Sequence, residues 1–200
     1  MDTRCGWLEI ILGPMFSGKS EELLKKLEWY QYRGEQTLLI KLSLDHRYSS
    51  TEVVTHSGLK RTAKVIEPNY ESFMKLEKEL NSVSVIGIDE FEFFEDSDEL
   101  VSEIVRLSNE KTVILAALNF NFRGEPWPIV EKIKRYVDHY TSKEAVCTYK
   151  DPATGEVCGN PATRTQRLID GKPAPRDSPT ILVGGREMYE ARCKRHHIVP

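Results

Sequence analysis

Two hundred residues make room for one domain, or one domain with a small appendage. The formal charge of −3 offers no broad basic surface for nucleic acid, no apolar run approaches the length of a bilayer span, and the N-terminus has no signal-peptide pattern. The expectation is a soluble cytoplasmic protein with neither nucleic acid nor membrane as a partner.

The apolar run Trp7–Leu12 reads as a buried strand, and Ser20–Arg33 as a helix with Leu23, Leu24 and Leu27 on one face and Gly34 as its stop. Between them Gly13-Pro14-Met15-Phe16-Ser17-Gly18-Lys19-Ser20 spells G-x-x-x-x-G-K-S. Strand, glycine-rich loop and helix together make this a phosphate-binding loop. Backbone N–H groups at the helix N-terminus converge on phosphate oxygens. Lys19 brings a cation to the terminal phosphates, and the Ser20 hydroxyl suits Mg²⁺. A bound nucleoside triphosphate follows.

Thr37–Leu42, Val83–Asp89 and Thr112–Leu118 are further continuous apolar runs, as expected of parallel strands covered on both faces. Asn69–Leu80, Ser97–Leu107 and the shorter Pro128–Tyr136 have helical spacing. Alternating strands and helices predict an α/β domain with a mostly parallel sheet. The Val83 strand ends in Asp89-Glu90. An acid there helps hold Mg²⁺ beside the phosphates, which suits Asp89. Glu90 is placed to accept a proton, and strand alternation turns it to the face opposite Asp89.

Composition changes near Tyr140, which sets units at 1–141 and 142–200. The later unit holds three of the four cysteines. Cys193-Lys194-Arg195-His196 is C-x-x-H, and with Cys147 and Cys158 it makes a Cys₃His set typical of structural Zn²⁺. His197 is the rival to His196. The spacing from Cys147 to Cys158 is long for a zinc knuckle, with a turn at Asp151–Gly155 inserted. Asp170–Pro179 reads as a loop between short strands at Thr165–Ile169 and Thr180–Gly184.

Jointly these motifs, with Asp45–Ser50, Thr55-His56-Ser57-Gly58, Phe93-Phe94, Cys158–Arg167 and Gly184–Tyr189, resemble the type II thymidine kinases over almost the whole chain. The C-terminal stretch looks most like the bacterial branch. The resemblance implies a P-loop (RecA-like) α/β fold, with a mostly parallel sheet, helices on both faces and a small C-terminal zinc-binding lasso domain. It implies transfer of the ATP γ-phosphate to the 5′-hydroxyl of thymidine, with Glu90 as base and Asp45 and Arg47 near the phosphates. Met15, Leu118, Phe122 and Thr165 would line the thymine pocket, with Phe93 and Trp127 nearby and Tyr189 against the nucleoside. The 168–184 loop would close over the base. The family is usually a homotetramer inhibited by dTTP. This chain departs from it in having Phe91 and Glu92, where a small residue and Gln are usual. The added carboxylate is expected to alter Mg²⁺ binding or repel phosphate, and Phe91 to reshape the rear of the pocket. Two other readings stay open: a deoxynucleoside kinase of altered base preference, and a nucleotide-binding regulator without turnover.

Overall fold

The computed structural model describes residues 6–43, 52–54 and 60–200. The first half runs β1 (Trp7–Gly13), α1 (Lys19–Tyr32), β2 (Thr37–Leu42), β3 (Glu52–Val54), β4 (Lys60–Thr62), β5 (Lys64–Ile66), α2 (Tyr70–Met74), α3 (Glu77–Ser82) and β6 (Val85–Asp89). Then come α4 (Asp98–Ser108), β7 (Thr112–Leu118), α5 (Pro128–Ile133) and β8 (His139–Ser142). Among the described residues, six strands form one parallel sheet in the order β5-β2-β6-β7-β1-β8.

The sheet is covered on both faces, which is why its strands are apolar without interruption. Ile10, Leu38, Val113 and Leu115 join a core with Phe73, Leu80, Leu100, Ile104 and Ile129 of the α2–α5 side. Their chain neighbours Ile11, Leu39, Ile114 and Ala116 pack on Leu23, Leu24 and Leu27 of α1. Alternation across the pleat thus feeds two cores from one run of residues. Helix α1 ends on Gly34 at φ 83°, where the Gly34 and Glu35 N–H groups reach back to the Gln31 and Tyr30 carbonyls. That paired closure is what a left-handed glycine permits. Ser97 caps α4 by accepting from Leu100 N–H at 3.1 Å.

Three elements differ from the sequence expectation. The Asn69–Leu80 helix is two short ones, because the Leu76 N–H bonds to Phe73 O and tightens the turn between them. Pro128–Tyr136 becomes α5 plus a 3₁₀ turn, Lys134–Tyr136. The Thr180–Gly184 strand does not form.

The C-terminal region holds β9 (Ala145–Val146), β10 (Pro161–Ala162), β11 (Arg164–Ile169), β12 (Lys172–Pro173) and β13 (Tyr189–Arg192). The antiparallel partners of β11 are β12 and β13. The Thr180 segment is not needed in that sheet. Its carbonyl and that of Pro179 accept instead from the buried Arg167 guanidinium.

Candidate active site

The phosphate loop leaves the carboxyl end of β1, where open parallel sheets bind ligands. Gly13 is required by close approach: a Cβ there would lie 2.6 Å from Lys143 O and from Ser17 Oγ. Gly18, the N-cap of α1, is required by its φ of 76°. Lys19 Nζ donates to Pro14 O at 2.7 Å, and Ser17 Oγ donates to the same carbonyl at 2.8 Å. Pro14 O thus ties the loop to its own lysine. Ser20 Oγ donates to Asp89 Oδ1 at 3.0 Å, which brings together two hard oxygen ligands of the kind Mg²⁺ takes.

Glu90 does not turn away from Asp89. The strand ends at Asp89, and Glu90 takes a left-handed conformation with φ 59° and ψ 36°. That turn overrides strand alternation and puts Asp89, Glu90 and Glu92 on one cavity wall. A non-glycine residue in this conformation is strained, and such strain clusters at functional sites. Lys19, Lys41, Met15, Phe93, Leu118 and Arg186 line the same cavity, of about 350 Å³.

Burial, with Asp89 adding to it, pushes the Glu90 carboxyl up to about 7 despite Lys41 and Lys19. Burial also raises Asp89, against the Ser20 hydrogen bond and Lys19. The Lys19 ammonium moves down, since burial outweighs the pull of Glu92, Asp89 and Glu90. Buried acids with raised pKa values beside a buried lysine mark a candidate functional site.

Of the residues expected around a base, Met15, Phe93 and Leu118 stand on the cavity wall. Thr165 and Trp127 touch residues of that wall, whereas Phe122 and Tyr189 are not among its lining residues. Thr165 Oγ1 accepts from Met15 N–H at 3.0 Å, and Trp127 meets Phe93 edge-on at 5.5 Å. Phe122 and Tyr189 flank the Arg167 guanidinium at 4.2 and 5.2 Å. Phe91 does not line the cavity: it is fully buried in the core, 5.6 Å from the Phe94 ring. Asp45 and Arg47, with the Asp45–Ser50 and Thr55–Gly58 motifs, lie outside the described residues.

The metal set assembles as its spacing predicts. Ligand atoms of Cys147, Cys158, Cys193 and His196 all lie within 4.8 Å of one another. His196 Nδ1 is 3.7 Å from Cys147 Sγ and 3.6 Å from Cys193 Sγ. Tetrahedral zinc with ordinary Zn–S and Zn–N bonds needs about 3.6 Å there. His197 is turned elsewhere, with Nε2 donating to Phe122 O at 2.8 Å. The long Cys147–Cys158 spacing folds out as a closed turn. Asp151 Oδ1 accepts from Ala153 N–H, and Lys150 bridges Val157. Cys158 N–H then returns to Tyr149 O at 2.9 Å, so the insertion leaves the ligands in reach of one another.

The comparisons decide the family. The thymidine kinase family model matches residues 6–197. The chain belongs to the thymidine kinase family. It is 46% identical over 199 residues to a thymidine kinase of Thermococcus kodakarensis, covering 98% of this chain and 95% of that one. A thymidine kinase of Pyrobaculum aerophilum is 43% identical over 193 residues, covering 96% and 99%. One of Coprothermobacter proteolyticus is 46% identical over 199 residues, covering 99% and 93%.

Within this thymidine kinase frame, sequence reasoning assigned no site role to Lys41, Arg186, Arg167 and Arg123. Lys41 carried a usable signal, a charge near the carboxyl end of an apolar strand. The arginines carried none. Arg123 donates to the carbonyls of Arg176 and Ser178 and to Thr180 Oγ1, and Arg167 to those of Pro179 and Thr180. Together they fasten the start of the 174–188 loop. No helix among the described residues is long and apolar enough to cross a membrane.

Proposed function

We propose that this protein is an ATP-dependent thymidine kinase of nucleotide salvage, transferring the γ-phosphate of ATP to the 5′-hydroxyl of thymidine to give dTMP. The observation that carries the reading is one cavity holding a phosphate loop, a buried glutamate raised to about 7 and an apolar wall of Met15, Phe93 and Leu118. In ionised form the Glu90 carboxylate takes the 5′-hydroxyl proton. The 5′-oxygen attacks the γ-phosphorus, the bond to the β-bridging oxygen breaks, and ADP leaves. Lys19 leaves Pro14 O for the phosphates and neutralises charge on the transferring group, as the positive α1 N-terminus does. Gly13 through Ser20 cradle the phosphates, with Asp45 and Arg47 nearby. Ser20 and Asp89 would hold Mg²⁺, which would supply positive charge to offset the negative charge of the phosphates.

Thymine is apolar except at its edges, so it fits a slot of Met15, Leu118 and aromatic rings. Phe93, Phe122, Trp127, Thr165 and Tyr189 shape that slot. Within the 168–184 segment the part after the fastened residues 176–180 closes over it and excludes water. Residues 142–200 form the zinc-bearing unit beside the 1–141 kinase unit, with Cys147, Cys158, Cys193 and His196 holding structural Zn²⁺. The assembly is a homotetramer inhibited by dTTP. Exposed Trp29 and Tyr32 on α1 support self-association, being 53% and 83% accessible in the single chain.

The thymidine reading stands above altered base preference because three relatives at 43–46% identity over nearly the full length bear the name thymidine kinase. The test is purified protein with ATP, Mg²⁺ and each natural deoxynucleoside in turn. dTMP should form fastest. Bound Mg-ATP without monophosphate from any nucleoside would instead establish the regulator.

A further inference from the structure

Glu92 is the acid the mechanism above leaves unused. It lies in the 3₁₀ turn Phe91–Phe93, only 4% exposed, and walls the cavity beside Met15, Phe93 and Leu118. Its Oε2 is buried without a hydrogen-bond partner. An orphan buried oxygen destabilises the folded protein, so an otherwise well-packed site that keeps one calls for a partner that arrives later. We infer that Glu92 is a substrate-positioning residue whose carboxyl donates a hydrogen bond to an acceptor oxygen of the bound nucleoside, a ring carbonyl or a sugar hydroxyl. This rests on the nucleoside kinase reading.

Two features favour a nucleoside oxygen over a phosphate. The phosphates already have Lys19, Ser20 and the loop N–H groups, whereas the neighbours of Glu92 include the apolar wall proposed for the base. Burial also favours the protonated form of this carboxyl. Burial pushes it up to about 8, with Glu90 adding to the rise and Lys19 and the backbone N–H groups of Glu92 and Leu118 opposing it. A neutral acid brings an O–H donor and no repulsion toward ATP. Rotation of the terminal torsion presents either oxygen.

The test compares Glu92→Leu, Glu92→Met and Glu92→Gln in the full zinc-loaded protein. Thymidine affinity is measured by calorimetry, with KM for thymidine and for ATP and the thermal midpoint alongside. Leu and Met remove the donor and the orphan together. They should weaken thymidine about three- to tenfold, leave KM for ATP unchanged, and keep or raise the midpoint. Gln keeps a donor and should restore wild-type affinity. Repeating the series with 3′-deoxythymidine separates the two acceptors. A Leu penalty that vanishes identifies the 3′-hydroxyl, and one that persists identifies another oxygen, both in support. Wild-type thymidine affinity in Leu and Met, failure of Gln to rescue, or a drop in midpoint in both apolar variants would overturn the assignment while leaving the kinase intact. A wild-type protein that neither binds nor phosphorylates a nucleoside overturns the kinase reading, and this assignment with it.

Discussion

Lys19 and Glu90 do different work and should fail differently. Lys19 Nζ donates to Pro14 O at 2.7 Å within the phosphate loop. Lys19→Ala removes the cation from the transferring group and should nearly abolish kcat for dTMP formation. Glu90→Gln keeps size and polarity. Calorimetry should find thymidine binding largely intact while kcat falls by about 10²–10⁴, the usual cost of a lost general base. Normal turnover in Glu90→Gln, with a dead Glu92→Gln, would move the base to Glu92. Because the Glu90 carboxyl sits at about 7, its basic form accumulates as pH rises through neutrality. The profile of kcat/KM should therefore climb between pH 6 and 8, and Glu90→Gln should flatten that limb.

At the scale of elements, the Cys₃His cluster is tied to the segment after β7 and to β11. His197, next to the ligand His196, holds Phe122 O at 2.8 Å. Gln166 on β11 pairs with the backbone of Ile198 through two bonds of 2.8 Å. Chelation should thus loosen residues 142–200 in hydrogen exchange before the parallel sheet opens, and weaken thymidine more than ATP. Elemental analysis should find one zinc per chain, and protein purified without chelator yet free of zinc would contradict the site. The 174–188 loop should respond in two parts. Residues 176–180, gripped by Arg123 and Arg167, should be protected even without ligand. Residues 181–187 include the exposed Ile181, Leu182 and Val183 and should gain protection only with thymidine or dTTP. Equal exchange across 181–187 in both states would rule out closure. In α4, Ser97→Ala removes the cap on Leu100 N–H and should cost about 1 kcal/mol in a denaturant melt.

At the scale of the whole molecule, the buried acids tie stability to pH. Glu90 and Glu92 have folded-state pKa values raised from 4.5 to about 7 and about 8. The folded protein therefore binds more protons than the unfolded chain between those values. Their contribution is complete below about pH 4.5 and is lost progressively as pH rises from there to about 7 and about 8. In Mg²⁺-free buffer the thermal midpoint should fall from pH 5.5 to 8.5, and Glu92→Leu should flatten the upper part of that fall. The sequence by itself determined the parallel sheet, the phosphate loop and the Cys₃His set, because each is written in local spacing. Continuous apolar runs mark strands covered on both faces, G-x-x-x-x-G-K-S needs only its flanks, and C-x-x-H chelates over one turn. Only the tertiary structure decided where Glu90 points, since a left-handed residue at a strand end reverses the alternation on which sequence reasoning relies. It also chose His196 over His197, through the Phe122 carbonyl that occupies the latter. The Thr180 strand was lost the same way. Its Thr180 carbonyl met Arg167 and its Thr180 hydroxyl met Arg123, both from distant parts of the chain, and no pattern within the segment could announce two guanidiniums arriving from elsewhere.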